Sequence, residues 1–130
     1  MTTAQHLNLI PEIGQLWLFD LDGTLVTHNA YLNGEDELLP GVKEFWSQIP
    51  AHHVILILTA RSQAYRTVTE AFLQKNELRF NHLLMDMPKG ERILLNDRKP
   101  DGTPTAHAIN LTRDAGLGSV GFSFLQTLKK

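Results

Sequence analysis

The stretch "LWLFDLDGTLVT", residues 16–27, decides how this chain is read. Four apolar residues run straight into Asp20. A second carboxylate, Asp22, follows two places later, and then Gly23 and Thr24. The apolar run predicts a strand covered on both faces, as in a parallel sheet. Burying charge at the end of such a strand is costly unless something pairs with it. Gly23 lets the backbone turn sharply and approach a ligand closely. The remaining question is what the chain brings to meet the two acids.

Outward from that stretch, residues 53–58 (HVILIL) form a second continuous apolar run. Residues 82–85, 93–95 and 106–109 are shorter strand candidates. Helical patterns lie between them. In "PGVKEFWSQIP" Val42, Phe45, Trp46 and Ile49 follow the i, i+3, i+4, i+7 spacing of one helix face, and Pro50 ends it. In "RSQAYRTVTEAFLQKNEL" the apolar positions are Ala64, Tyr65, Val68, Ala71 and Phe72, with Ser62 as N-cap. Strands alternating with helices predict an α/β domain with a mostly parallel sheet. The end is ambiguous, since Val120, Phe122 and Phe124 alternate while Leu125 and Leu128 fit a helix.

Chemistry-bearing residues follow each predicted strand. Asp20 and Asp22 follow the first and Thr59 the second. Lys89 follows the third, in "DMPKGER". Asp97 and Asp101 follow the fourth, in "LLNDRKPDG". In an open parallel sheet these points share the carboxyl edge, where ligands bind. Several acids with one lysine call for a hard divalent cation, and Mg²⁺ takes a few carboxylates plus water and phosphate oxygens. A carboxylate can serve as nucleophile in phosphoryl transfer. The expected roles are therefore Asp20 as nucleophile, Asp22 as acid and base, and Lys89 with Mg²⁺ as charge stabilisers. Thr59 and the backbone N–H groups near Asp22 and Gly23 would donate to the phosphoryl group.

"DLDGT", "ILTAR", a later lysine and a closing acidic motif resemble, in order, the four motifs of the haloacid dehalogenase superfamily in its phosphatase branch. The resemblance spans about residues 17–101. It implies a three-layer α/β/α Rossmann-like core with five parallel strands in the order 5-4-1-2-3 and no cap domain. It also implies catalytic Asp20, Asp22, Thr59 and Lys89, substrate binding by Gly23, Thr59, Lys89 and Arg61, and a Mg²⁺ site of Asp20, Asp22 and Asp97. The second Asp points to phosphatases and phosphomutases rather than dehalogenating relatives. The fourth motif departs from the family pattern, because Asn96 precedes Asp97 and Asp101 stands beside Gly102, where a turn residue is also expected. The compact spacing of Lys89 and Asp97 is similar to that of small bacterial phosphatases linked to surface-polysaccharide synthesis. The intervals between motifs hold only a helix and a strand each, which leaves no room for a lid. Capless members act on large substrates or close the site with a neighbouring subunit, so a homo-oligomer stands among the expectations.

Composition narrows the classes further. The chain has 130 residues, 42% hydrophobic, which fits one domain over residues 1–130. Without cysteine it has no disulfide or thiolate chemistry. A net charge of -2 gives no nucleic-acid footprint. The first residues show no signal-peptide pattern, and no apolar run reaches membrane length. The expectation is a cytoplasmic protein with a phosphorylated small-molecule substrate, a sugar phosphate by preference, and no nucleic-acid or membrane partner. The six histidines have no zinc spacing. His28 and Tyr31 lie in the loop after the first motif, and Trp17 and Trp46 read as core. The alternatives are a phosphotransferase or mutase of the same superfamily and a catalytically silent binding module on the same fold. A receiver domain gathers similar residues, but in a different chain order.

Overall fold

A computed structural model describes residues 5–125. Five short strands and two α-helices follow in order: β1 (Gln5–Leu9), β2 (Leu16–Asp20), α1 (Val42–Ser47), β3 (Val54–Leu58), α2 (Arg66–Lys75), β4 (His82–Leu84) and β5 (Val120–Phe124). Short 3-10 turns cover Ala30–Leu32 and Gln63–Tyr65. Among the described residues these strands pair in parallel: β2-β3-β4 form one sheet and β1-β5 a second, and one isolated antiparallel bridge joins Val26 and Leu38. The α/β class and the parallel pairing follow the sequence reading. No helix among the described residues is long and apolar enough to cross a membrane.

The register places the site. Asp20 lies opposite Leu58, and Leu58 opposite Leu84. The residues after these three strands therefore emerge along one edge. The Thr59 N–H donates to the Leu84 carbonyl at 2.9 Å, which carries the alignment one residue past β3.

The core lies on one face of the three-stranded sheet. Ile55 and Ile57 of β3 are fully buried, and Phe19 and Leu83 nearly so. Aromatic rings from α1 cover them. Phe19 meets Trp46 at 4.3 Å, and Trp17 meets Phe45 at 5.6 Å, edge to face. Phe122 of β5 reaches Trp17 at 4.8 Å and so ties the second sheet to β2. Such pairs add about 0.5–1.5 kcal/mol each beyond area burial. The Trp46 indole N–H donates to the Arg79 carbonyl at 2.9 Å, which satisfies its one polar atom.

Several expectations are corrected here. The five strands do not form a single sheet in the order 5-4-1-2-3, and β2 is an edge strand rather than the central one. Residues 93–95 and 106–109 form no strand. No neighbouring backbone among the described residues pairs with either stretch, and Ile93, Leu94 and Leu95 stand exposed. β2 and β3 are covered on one face only: on the other, Leu16 is 59% exposed and Leu18 49%. The strand Gln5–Leu9 was not foreseen, since its alternation of polar and apolar residues is short. Along α2 the buried residues are Thr69 and Leu73, while Val68 is largely exposed, so the inward face is shifted by one residue. Ser62 does cap the preceding turn, accepting from the Ala64 N–H at 3.1 Å. Residues 120–124 settle as a strand, and Leu128 lies outside the described residues.

Candidate functional site

The first-motif turn is built from its own backbone. Leu25 and Val26 N–H groups both donate to the Leu21 carbonyl, and Gly23 N–H donates to Val26 at 2.7 Å. Gly23 has φ +87°, a conformation that glycine adopts without the cost a side chain incurs. The Gly23 N–H was expected to face a phosphoryl group. It is instead engaged within the turn.

Asp20 stands at the end of β2 with its side chain 44% exposed. Thr24 Oγ1 donates to one carboxylate oxygen at 3.2 Å. The other faces Arg92 Nη2 at 3.4 Å, a half-exposed contact. Partial burial holds the Asp20 carboxyl above its ordinary value. The Thr24 hydrogen bond and the Arg92 charge oppose this, and the neighbouring Asp22 charge adds to it. Lys89 was expected as the cation here. It is exposed and makes no hydrogen bond or ion pair among the described residues, and Arg92, three residues further along the same loop, occupies the place. Another basic residue so close in "PKGER" was the available signal.

Asp22 is held from two sides. Thr59 Oγ1 donates to it at 3.1 Å, and Arg61 Nη2 at 2.8 Å, with Nε between its two oxygens at 3.3 and 3.2 Å. Thr59 is itself 1% exposed and also accepts from the Arg61 backbone N–H at 3.1 Å. The "TAR" of the second motif thus grips the second carboxylate of the first. Thr59 was expected to bind phosphate directly, and here its hydroxyl is engaged by Asp22.

Arg61 is the most enclosed charge in the site, with a side chain 1% exposed. Its remaining donors reach Asp36 at 2.6 and 3.0 Å and Thr69 Oγ1 at 2.9 Å. The Tyr31 ring lies under the guanidinium at 3.9 Å and packs edge-on against Tyr65 at 4.8 Å. Burial alone would lower the Arg61 value, but hydrogen bonds to Asp22 and Asp36 outweigh it and raise it. Partial burial, with the Asp22 charge, raises the Tyr31 phenol. Arg61 was expected as a substrate contact, whereas here every donor has a protein partner. Asp36 was missed entirely. Its position in "NGEDELLPG" offers no pattern that separates it from a solvated loop acid.

The fourth motif stands apart. Asp97 is exposed; its carbonyl accepts from Thr105, whose hydroxyl also bonds Asn96. Asp101 closes its own turn, accepting from the Thr103 N–H at 2.9 Å, and the side-chain and backbone hydrogen bonds of Thr103 hold its carboxyl below the usual range. Among the described residues no three acids or histidines are grouped to hold a metal, so Asp97 does not join Asp20 and Asp22 here. The donor set at the turn still suits Mg²⁺, which needs only one or two carboxylates when waters and phosphate oxygens complete its shell. Asp20 fits as that ligand, being partly exposed and in surroundings that penalise an uncompensated anion. Asp22 was expected to offer the metal its backbone carbonyl, and its carboxylate is held by Arg61 and Thr59.

No protein-family model matches this chain, and no curated protein matches it. Two solved chains resemble part of it, one in a Pnkp1/Rnl/Hen1 complex and one in the Pnkp1/Rnl/Hen1 RNA repair complex. Each is 28% identical with a TM-score of 0.46, over 64% and 65% of this chain. The matches span 31% and 29% of those chains, so this chain corresponds to about a third of their length.

Proposed function

We propose that this domain is a Mg²⁺-dependent phosphomonoester hydrolase that works through an aspartyl-phosphate on Asp20. The observation that supports it best is the meeting of the first two motifs at one sheet edge. Asp20 ends β2 partly open to solvent, while Asp22 is held by Thr59 and Arg61 from the end of β3. Two carboxylates so close and so differently placed suit two different roles.

In this reading the half-exposed Asp20 carboxylate attacks phosphorus and the ester oxygen departs. Water then attacks the acyl-phosphate and releases inorganic phosphate. Asp22 gives a proton to the leaving oxygen and takes one from the water, so it must first part from Arg61. Thr24 orients the Asp20 carboxylate through its hydrogen bond. Arg92 stands where a transferring phosphoryl group would meet positive charge. Bound Mg²⁺ would be held by Asp20 and would supply charge neutralisation at the phosphoryl oxygens.

The finer fold belongs to the same proposal. Among the described residues β2 has a partner strand on one side only, and the apolar triplet at residues 93–95 is exposed, with Ile93 at 82% and Leu95 at 87%. We place that triplet beside the free edge of β2 in the working form, with β2 then central. Asp97, two residues after Leu95, would arrive next to Asp20 as a second metal-ligating carboxylate. A sugar phosphate remains the preferred substrate class. Asp20→Asn should abolish phosphate release from any phosphorylated metabolite the wild type hydrolyses. Undiminished release by that variant, or in excess chelator, would end the proposal.

A further inference from the structure

A phosphate dianion at Asp20 needs hydrogen-bond donors, and three of the expected ones are engaged. The Gly23 N–H donates within its turn, Thr59 donates to Asp22, and Arg61 is fully paired. One cation over the same turn is not. Arg113 lies across Gly23 so closely that a Cβ on Gly23 would meet its Cγ at 3.1 Å and its Nε at 3.6 Å. Arg113 is exposed, and among the described residues it makes no hydrogen bond or ion pair.

This placement is built by the fold. The loop that carries Arg113 is fastened to the first-motif loop on both sides. The Asp114 N–H donates to the Gly23 carbonyl at 2.8 Å, and the Asp114 carboxylate accepts from the His28 N–H at 2.8 Å. Leu117 is buried, and its N–H donates to the Pro40 carbonyl at 2.9 Å. Gly116, at φ +83°, lets the chain pass so close that a Cβ there would sit 2.1 Å from the Pro40 oxygen. Asp114 itself takes φ +64°, an uncommon conformation for a residue other than glycine. A loop held this tightly gives its arginine a fixed stem and leaves the guanidinium open to solvent.

We propose that Arg113 is a substrate-binding residue, whose guanidinium holds an anionic oxygen of the phosphoryl group over the Asp20–Gly23 turn. A planar guanidinium matches two phosphate oxygens, which a compact ammonium does not. The assignment rests on the hydrolase reading for its reaction, but its binding role can be measured without turnover.

The test titrates inorganic phosphate into the full chain by calorimetry, in the presence of Mg²⁺. Arg113→Met keeps an apolar stem over Gly23 and removes the charge. It should weaken phosphate binding by about tenfold or more, since hydrogen bonds to charged groups are the strong ones. Arg113→Lys should recover only part of that loss, because an ammonium keeps the charge but not the two-oxygen match, and Arg113→Glu should bind more weakly than Arg113→Met. Equal binding by wild type and Arg113→Met, or no phosphate binding by the wild type at millimolar concentrations, would overturn the assignment. The hydrolase reading is scored separately by phosphate release. Arg113-dependent phosphate binding in a chain that hydrolyses no phosphomonoester would sustain this inference and sink that reading. Normal hydrolysis with an unchanged KM in Arg113→Met would do the reverse.

Discussion

Removing the Asp36 carboxylate tests whether the buried ion cluster organises the site. Arg61 and Asp36 have side chains 1% and 4% exposed, and two hydrogen bonds of 2.6 and 3.0 Å join them. In Asp36→Ala the guanidinium keeps Asp22 and Thr69 but loses its second carboxylate inside the protein. Asp22 still neutralises the guanidinium, so the cost is that of two buried N–H donors left without an acceptor, about 1–3 kcal/mol each. For a domain of this size the unfolding entropy converts each kcal/mol to roughly 3–4 °C, so the two lost acceptor contacts should lower Tm by about 6–24 °C. The exposed Arg66–Glu70 pair, at 3.6 Å with side chains 35% and 38% exposed, provides the contrast. Glu70→Gln should shift stability by less than about 0.5 kcal/mol. Thermal melts followed by circular dichroism read both variants. A fall below about 3 °C for Asp36→Ala would refute the reasoning, since it would mean that Arg61 finds water or another partner at no cost.

Gly116→Ala should cost about 2–4 kcal/mol, from the clash with Pro40 and the positive φ, and chemical denaturation would show it as a lowered midpoint. His53 is 1% exposed and accepts from the Trp17 indole N–H at 2.9 Å, and burial, then the charges of His52 and Arg79, lower its value. Between that lowered value and the unfolded value near 6.5 the unfolded chain binds the extra proton, so stability is present above about pH 6.5 and is lost as pH falls. Melts from pH 8 to pH 5 should therefore decline more steeply for wild type than for His53→Gln, and equal slopes would contradict this. Arg92→Ala should reduce turnover more than Lys89→Ala, because Arg92 is the cation that reaches Asp20; steady-state phosphate release compares the two.

What the sequence made legible was what is local in the chain. The run into Asp20 reads as a strand because four apolar residues precede it, and β2 forms there. The spacing of Val42, Phe45 and Trp46 marks the inner face of α1, and all three are buried. That Thr59 reaches the first motif follows from two motifs at the ends of adjacent parallel strands, although its hydroxyl was expected on phosphate and donates to Asp22 instead. Contacts made by isolated loop residues were not legible. Asp36, Arg92 and Arg113 gain their partners or positions only through chain reversals far from them in sequence, and nothing periodic marks them. Residues 93–95 show the converse. Three apolar residues can read as a strand, yet a strand forms only where a neighbouring backbone pairs with it, and here they stand exposed.

Chemical trapping of the aspartyl-phosphate reads the role of Asp20 directly. A panel of phosphorylated metabolites first finds a substrate whose hydrolysis releases inorganic phosphate. Wild type and Asp22→Asn are then mixed with that substrate and Mg²⁺, quenched, and reduced with borohydride. An aspartyl-phosphate is converted to homoserine by this treatment, and peptide mass spectrometry locates it. Homoserine should appear at position 20 in wild type and in Asp22→Asn, and none in excess chelator. Reduction at another residue, or full hydrolysis by Asp20→Asn, would contradict the role of Asp20.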